Sequence, residues 1–168
     1  IMSGNLTYEE LTAEVAAGEI DTVIVAFSDA QGRLVGKRVS ARLYVDEIAS
    51  HGAEACNYLL SVDVDVNTVA GYPMSSWESG YGDMVLMPDA ETLRRVPWIA
   101  GSVLVMAALQ WPDGRLVEQA PRAVLDRQRD RLAERGLTAF VGTELEFIVF
   151  DDSYRQAWSK GYRDLTPS

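Results

Sequence analysis

The start of the chain has the residue pattern of a capped helix followed by a strand. A helix is predicted over residues 8–17, because Thr7 and Glu10 have the spacing of a capping box at its first turn. Gly18 supplies the left-handed conformation that commonly ends a helix. Residues 22–27 (TVIVAF) are apolar and rich in β-branched side chains, which indicates a strand.

Turn signals divide the rest of the chain into further short elements. A turn at residues 29–32 leads into the second strand of a hairpin. Pro121 begins a helix that ends at Gly136 and has a stripe formed by Val124, Leu125, Gln128 and Leu132. The other predicted elements are a helix over 41–50 and strands over 34–40, 56–63, 83–88, 102–110 and 138–150. This order predicts an α+β fold in which a helix packs across one face of a small mixed sheet.

Residues 64–82 differ from the segments around them. They contain four glycines and prolines and three large aromatic residues: Gly71, Pro73, Gly80, Gly82, Tyr72, Trp77 and Tyr81. A long loop within a compact domain is usually either functional or disordered. Because aromatic side chains argue against disorder, this loop is predicted to pack against a partner.

Composition excludes several classes of protein. The chain has 168 residues, of which 48% are hydrophobic, so it can form a core and comprises one domain, or one small domain and part of another. Its 15 Lys and Arg residues against 25 Asp and Glu residues give a net charge of −10, which disfavours binding to nucleic acid. One Cys and one His exclude an internal disulfide and a zinc site, and favour a reduced, cytoplasmic setting. The longest uncharged stretch, 97–112, is too short to cross a bilayer, so no membrane association is expected.

Two carboxylates on the predicted strand 138–150 are candidate metal ligands. Side chains alternate along a strand, so Glu144 and Glu146 would share a face with apolar neighbours. Burying both without a partner would cost several kcal/mol, and a divalent cation such as Mg²⁺ or Mn²⁺ takes oxygen ligands of this kind. The alternative is that the pair meets arginine side chains or solvent at the end of the sheet.

A second group of oxygen ligands lies at Asp63, Asp65 and Asn67. On a strand these three side chains would share one face, but the segment does not match an EF-hand loop, since Thr68 and Met74 stand where Gly and Glu are required. The alternative is a strand end with solvated acids. Asp83, which follows the aromatic loop, is either a cap or a polar group of an active site.

Two segments in this order resemble the N-terminal part of the glutamine synthetase family. They are GYGDMVLMPDAETLRRVPW, residues 80–98, and GTELEFIVFD, residues 142–151. The resemblance implies a β-grasp-like N-terminal domain over residues 1–118 and the start of a catalytic domain over residues 119–168. It also implies that the chain is an incomplete fragment and inactive alone, because later substrate-binding and metal-binding segments of the family are absent from it.

The resemblance further implies an activity, cofactors and partners. Family members are cytoplasmic ligases of nitrogen metabolism that use ATP and Mg²⁺ or Mn²⁺ to convert glutamate to γ-glutamyl phosphate, which ammonia or an amine attacks. Glu144 and Glu146 match the metal-binding acids of the family. The active site lies between subunits of stacked rings, so Asp83 and the loop with Trp77 would cap the catalytic domain of a neighbouring subunit, and Trp77 is the candidate cofactor-binding residue.

One departure from the family bears on the substrate. Ammonia-using members of the bacterial type have an Asp-Gly-Ser-Ser motif ahead of this loop, whereas here Ser75 and Ser76 are not directly preceded by Asp. Asp63 and Asp65 are the candidates to replace that acid. The chain therefore resembles enzymes that join glutamate to larger amines, such as polyamines or ethanolamine. A true ammonia-using glutamine synthetase and a non-catalytic β-grasp module for assembly or regulation remain the alternatives.

Overall fold

The computed structural model describes residues 4–74 and 80–168 and divides the chain into two compact units. The first unit runs to Gly136, and the second is Leu137–Ser168. Within the described ranges, no helix is long and apolar enough to span a membrane.

Helix α1, Tyr8–Ala17, confirms the prediction from its capping residues. The Thr7 hydroxyl accepts a hydrogen bond from the Glu10 backbone N–H, and the Glu10 carboxylate accepts one from the Thr7 N–H at 2.8 Å. Gly18 ends the helix in the left-handed conformation, with φ of 77°. These local hydrogen bonds satisfy groups that a helix end would otherwise leave unpaired.

In the described part of the first unit, six strands form the sheet. They are β1 Thr22–Ser28, β2 Leu34–Ser40, β3 Ala53–Cys56, β4 Asp83–Pro88, β5 Arg94–Arg95 and β6 Ser102–Gln110. The order is β2-β1-β6-β4-β3, and β5 pairs with β6 beside β4. β1 and β6 run parallel, with Thr22 opposite Ser102, whereas the other pairs are antiparallel. The predicted mixed sheet is therefore confirmed.

The core lies between the sheet and the helices. Helix α2 covers residues 41–51 in three consecutive parts, of which the middle one, Tyr44–Ile48, is π-helical. Leu11 from α1 and Tyr44 from α2 are almost completely buried. They belong to one cluster with alternate residues of the strands: Val23, Val25, Phe27, Met84, Leu86, Val103, Val105 and Leu109. This alternation is that of strands with one face against a core.

The predicted strand over 56–63 is wrong. β3 ends at Cys56, and Asn57–Leu60 forms a 3-10 turn instead. The side chains of Asn57 and Leu60 are both buried by this turn. Consequently residues 63–67 leave the sheet and fold as a turn, so the predicted common strand face of Asp63, Asp65 and Asn67 is also wrong.

Helix α3, Pro121–Ala133, begins at the predicted proline but has no buried residue. Val124 and Leu125 of its predicted stripe are exposed. Arg122 instead connects the helix to the sheet, since its guanidinium forms an ion pair with Asp89, which follows β4. The helix is therefore attached by its first turn.

The second unit does not contain the strand predicted over residues 138–150. Residues 138–149 form neither a helix nor a strand, and Phe150 forms a single bridge with Pro167. A strand requires a neighbour along its length for its backbone hydrogen bonds, whereas the described residues pair this segment only at its end, where the Ser168 N–H donates to the Val149 carbonyl at 2.9 Å. The short helix α4, Tyr154–Ser159, follows with its own capping box at Ser153.

Candidate functional site

The predicted acids at positions 63 and 65 lie on one compact loop, which we call the acidic loop (residues 61–69). The Asp63 carboxylate accepts hydrogen bonds from the backbone N–H groups of Asp65 and Asn67, each at 2.9 Å. It also accepts one from the Asn67 side-chain amide, 3.2 Å from Oδ2. Asp63 therefore shapes the loop by bonding to its own backbone, as Asp commonly does in turns.

These hydrogen bonds favour the ionised form of the Asp63 carboxyl. Those from the Asn67 backbone and side chain contribute most to lowering the pKa of Asp63 below its ordinary value, and the Asp65 N–H adds to them. Asp65, two residues later, has an exposed side chain. Of the two acids, Asp65 is therefore the one whose carboxylate is available to a ligand from solvent.

Apolar side chains flank Asp65. Val64 and Val66 are 69% and 54% exposed, so they do not belong to the core. Val66 has a φ of 67°, a left-handed conformation that is unusual for a β-branched residue. The hydrogen bonds around Asp63 hold the loop in this shape.

The turn between β1 and β2, residues 29–33, supports the acidic loop. We call it the hairpin tip. Asp29 is 1% exposed, and its Oδ1 accepts hydrogen bonds from the backbone N–H groups of Gln31 and Arg33 at 3.0 and 2.8 Å. Its Oδ2 accepts one from Arg33 Nε at 2.7 Å. Burial acts to raise the pKa of Asp29, but the hydrogen bonds from Arg33 and Gln31 outweigh it and leave that pKa below its ordinary value.

Arg33 and Gln31 extend from the hairpin tip to the acidic loop. Arg33 donates from Nη1 to the Val64 carbonyl at 2.6 Å and from Nη2 to the Asp63 carbonyl at 3.1 Å. Gln31 Nε2 donates to the Val62 carbonyl at 2.9 Å. Three consecutive carbonyl groups of the loop are thus held by two side chains some thirty residues earlier in the chain.

The sequence predicts the hairpin, but it does not predict that side chains of the hairpin tip hold the acidic loop. The available signal was the spacing of Asp29 and Arg33, four residues apart across a turn. That spacing indicates a local ion pair, but it does not show that the guanidinium also reaches a distant loop. Only the tertiary structure provides that information.

Asp83 begins β4, where it is exposed and lies opposite Cys56. The buried Asn57, next to Cys56, donates from Nδ2 to the Met74 carbonyl at 2.7 Å. This hydrogen bond fixes the backbone at Met74, a few residues after the acidic loop. The Tyr81 ring stacks edge to face on Tyr58, with centroids 6.0 Å apart. Trp77, the predicted cofactor contact, lies outside the described residues.

Glu144 and Glu146 lie in residues 138–149 of the second unit, which form neither a helix nor a strand, and both are exposed. In the part of the chain that the structure describes, neither forms an ion pair, and no group of three or more potential ligands for a metal is present. The chemistry of the two carboxylates fits a hard divalent cation, which takes oxygen ligands. Two carboxylates are fewer than the six oxygen ligands that Mg²⁺ requires, so water, substrate or other segments would supply the rest.

The chain is similar to known ligases. A family model described as the glutamine synthetase catalytic domain matches residues 118–167. The gamma-glutamylethanolamide synthetase of Streptomyces coelicolor is 59% identical over 97% of this chain and 35% of its own length. The glutamate–isopropylamine ligase of a Pseudomonas species is 30% identical over 88% of this chain and 32% of its own length.

Solved structures show the same relationship. A structure described as a GmaS/ADP complex has a TM-score of 0.57 and 25% identity, covering 74% of this chain and 26% of the other. A structure described as a novel glutamine synthase homolog has a TM-score of 0.60 over 84% of this chain and 35% of the other; at 20% identity it bears on the fold alone. The chain spans about a third of the length of the curated relatives it matches. The resemblance predicted from residues 80–98 and 142–151 is confirmed, and the chain belongs to the glutamine synthetase family.

Proposed function

We propose that this chain is the N-terminal part of an ATP-dependent ligase that joins the γ-carboxylate of glutamate to an amine. The observation that carries the proposal is the 59% identity, over 97% of the chain, to a gamma-glutamylethanolamide synthetase. In the proposed reaction a glutamate γ-carboxylate oxygen bonds to the γ-phosphorus of ATP, the bond to the β–γ bridging oxygen breaks, and ADP and γ-glutamyl phosphate result. The amine nitrogen then attacks the acyl carbon, the C–O bond to phosphate breaks, and an amide, phosphate and a proton are released.

Within that protein we propose a β-grasp-like N-terminal domain over residues 1–118 and the beginning of the catalytic domain over residues 119–168. The mixed sheet covered by α1 and α2 supports the first assignment. The family match, which begins at residue 118, supports the second. The compact units divide later, after Gly136, because α3 is attached to the first unit through Arg122 and Asp89.

We propose that Glu144 and Glu146 are ligands of Mg²⁺ or Mn²⁺ in the complete protein. Their exposure and the lack of a competing ion pair within the described residues support this role. A bound divalent cation would neutralise the charge on the phosphoryl group as it is transferred from ATP. The two carboxylates would hold that cation, and their i, i+2 spacing would place both on one face if the segment paired as a strand in the complete protein.

We propose that the acidic loop receives the amine, acting on the active site of a neighbouring subunit in a ring. Asp65 would attract the ammonium form of the substrate. Asp63 would hold the loop in its folded shape through its hydrogen bonds to the loop backbone. Asp83 and Trp77 would belong to the same cap. The exposed valines beside Asp65 support an amine with a hydrocarbon part over ammonia. We also propose a cytoplasmic location, where ATP and glutamate are available and the free Cys56 would remain reduced.

The test is an assay of the protein expressed from its complete reading frame, with ATP, glutamate and Mg²⁺ or Mn²⁺. Ethanolamine, isopropylamine, a polyamine and ammonia are compared as acceptors, and amide product and phosphate are measured. We expect Glu144→Gln and Glu146→Gln to lower kcat by at least about 100-fold, because a lost metal ligand removes several kcal/mol of charge stabilisation. Glu54→Gln, which changes an exposed carboxylate on β3, is the control and should retain full activity.

Each alternative corresponds to a distinct result. If no acceptor yields an amide, the ligase proposal is wrong and a non-catalytic module for assembly or regulation replaces it. If ammonia reacts faster than every alkylamine, the protein is a true glutamine synthetase. If both glutamate-to-glutamine variants remain fully active, the metal-ligand assignment is wrong.

A further inference from the structure

The hairpin tip and the acidic loop form one hydrogen-bonded unit although they are far apart in sequence. The Arg33 guanidinium uses Nε for the buried Asp29 and its two terminal nitrogens for the Asp63 and Val64 carbonyls. Asp29 in turn binds the tip backbone at Gln31 and Arg33. A planar guanidinium can donate to these three acceptors at once, whereas a lysine ammonium lacks three nitrogen atoms in this fixed planar arrangement.

The backbone held by Arg33 is the part of the loop that determines where Asp65 points. The Val64 carbonyl belongs to the peptide group that joins Val64 to Asp65, and it accepts from Arg33 at 2.6 Å. On the other side, the Asp65 N–H donates to the Asp63 carboxylate. The peptide plane before Asp65 is therefore held from both sides, by Arg33 at its oxygen and by Asp63 at its nitrogen.

We propose that Asp29 and Arg33 are positioning residues that orient Asp65 for the amine substrate by holding the acidic loop on the hairpin tip. This inference rests on the proposed function of the loop. Neither residue is placed to touch the reacting atoms, because the Asp29 carboxylate is buried and the guanidinium of Arg33 is bonded to Asp29 and the loop carbonyls. Their effect would reach the substrate only through the conformation of residues 63–67.

The chain contains a matched control for this arrangement. At the turn that follows β6, Arg115 Nε donates to Asp113 Oδ2 at 2.8 Å, and the Arg115 N–H donates to Asp113 Oδ1. As with Arg33 and Asp29, the backbone N–H and Nε of the arginine both bond one carboxylate, although here the residues are two positions apart rather than four and both are exposed. In the described residues, however, the Arg115 guanidinium makes no hydrogen bond to another segment. A substitution at Arg115 therefore removes a similar ion pair without releasing a loop.

The test compares Arg33→Gln, Arg33→Lys and Arg115→Gln in the protein expressed from its complete reading frame. We expect Arg33→Gln to raise KM for the amine about tenfold, the effect of weakening binding by about one hydrogen bond to a charged group. KM for ATP should change by no more than about twofold. A twofold change corresponds to a free energy well below that of one hydrogen bond, so it would mean that no contact to ATP is lost. Arg33→Lys should recover only part of the loss, and Arg115→Gln should behave as the wild type.

Hydrogen exchange of residues 61–69 is the second measurement, and it does not require activity. We expect Arg33→Gln to increase exchange at the amides of Asp65 and Asn67, whereas Arg115→Gln should not. Unchanged exchange and unchanged KM would overturn the inference. If the wild type shows no ligase activity, the proposed function fails, and the hydrogen-exchange result still decides whether Arg33 holds the loop.

Discussion

Four aspartate and glutamate positions show how strongly the surroundings of a carboxylate determine its role. Asp29 is buried and bonded to Arg33, and Asp63 is bonded to the backbone of its own loop. Asp65 and Glu144 are exposed. The first two carboxylates therefore stabilise structure, and only the exposed ones are available to a ligand or a metal.

At the scale of single residues, we predict that Asp29→Asn destabilises the 168-residue chain by about 1–3 kcal/mol at pH 7. The side-chain amide nitrogen of the variant would face an N–H group of Arg33 that now donates to the carboxylate. Urea unfolding measures the change. Asp113→Asn is the control and should cost less than about 1 kcal/mol, since both partners of that pair are well exposed. Equal effects of the two substitutions would contradict this prediction.

The Asp29 contribution should also depend on pH. Its pKa is lower in the folded chain than the value of about 3.9 in the unfolded chain. The unfolded state therefore binds the proton first, and the stabilisation is complete above about pH 5 and is lost as the pH falls through the lowered pKa. The difference between wild type and Asp29→Asn in urea midpoint should shrink over that acid range and stay constant between pH 6 and 8.

At the scale of elements, the hairpin of β1 and β2 depends on a close contact between its strands. Gly36 lies opposite Ala26, and a Cβ atom placed on Gly36 would be 2.0 Å from the Val25 carbonyl oxygen. That oxygen belongs to the backbone and cannot rotate away as a side chain could. The residue at position 36 must therefore be glycine for the two strands to keep their spacing.

We accordingly predict that Gly36→Ala destabilises the 168-residue chain by about 2–3 kcal/mol, because one strand must shift. Gly82→Ala is the matched control, since its Cβ would make an ordinary contact at 3.6 Å with the Asn57 amide. Urea unfolding of both variants provides the comparison. A Gly36→Ala variant as stable as Gly82→Ala would show that the strands can separate at low cost.

At the scale of the whole molecule, the candidate metal ligands and the sheet belong to different units. Glu144 and Glu146 lie in Leu137–Ser168, and the acidic loop lies in the unit that ends at Gly136. Several apolar side chains of residues 138–149 are highly exposed, including Phe140 at 93% and Leu145 at 88%. Exposed apolar surface of this kind is typical of a segment that packs against a partner.

We predict that the 168-residue chain binds Mn²⁺ at least about 100-fold more weakly than the protein expressed from its complete reading frame, because two carboxylates do not form a complete ligand set. Titration followed by the electron paramagnetic resonance of free Mn²⁺ measures both. Glu146→Gln should weaken binding in the complete protein and change little in the chain. Equal affinities would indicate a complete metal site within these 168 residues.

The sequence by itself determined the elements whose hydrogen bonds are local. The capping box of α1, the hairpin, and the strands Asp83–Pro88 and Ser102–Gln110 were predicted correctly, because their signals lie within a few residues of the structure they specify. The sequence also identified Glu144, Glu146 and Asp65 as candidate ligands, a role that remains a prediction.

Only the tertiary structure decided the features that depend on distant partners. It paired β1 with β6 in parallel, turned residues 57–60 out of the sheet, and connected Arg33 to a loop thirty residues later. It also left residues 138–149 without a ladder, although their alternation is that of a strand. The physical reason is that the hydrogen-bond partners of a backbone segment or a guanidinium determine its conformation, and in these cases the partners lie far away in sequence.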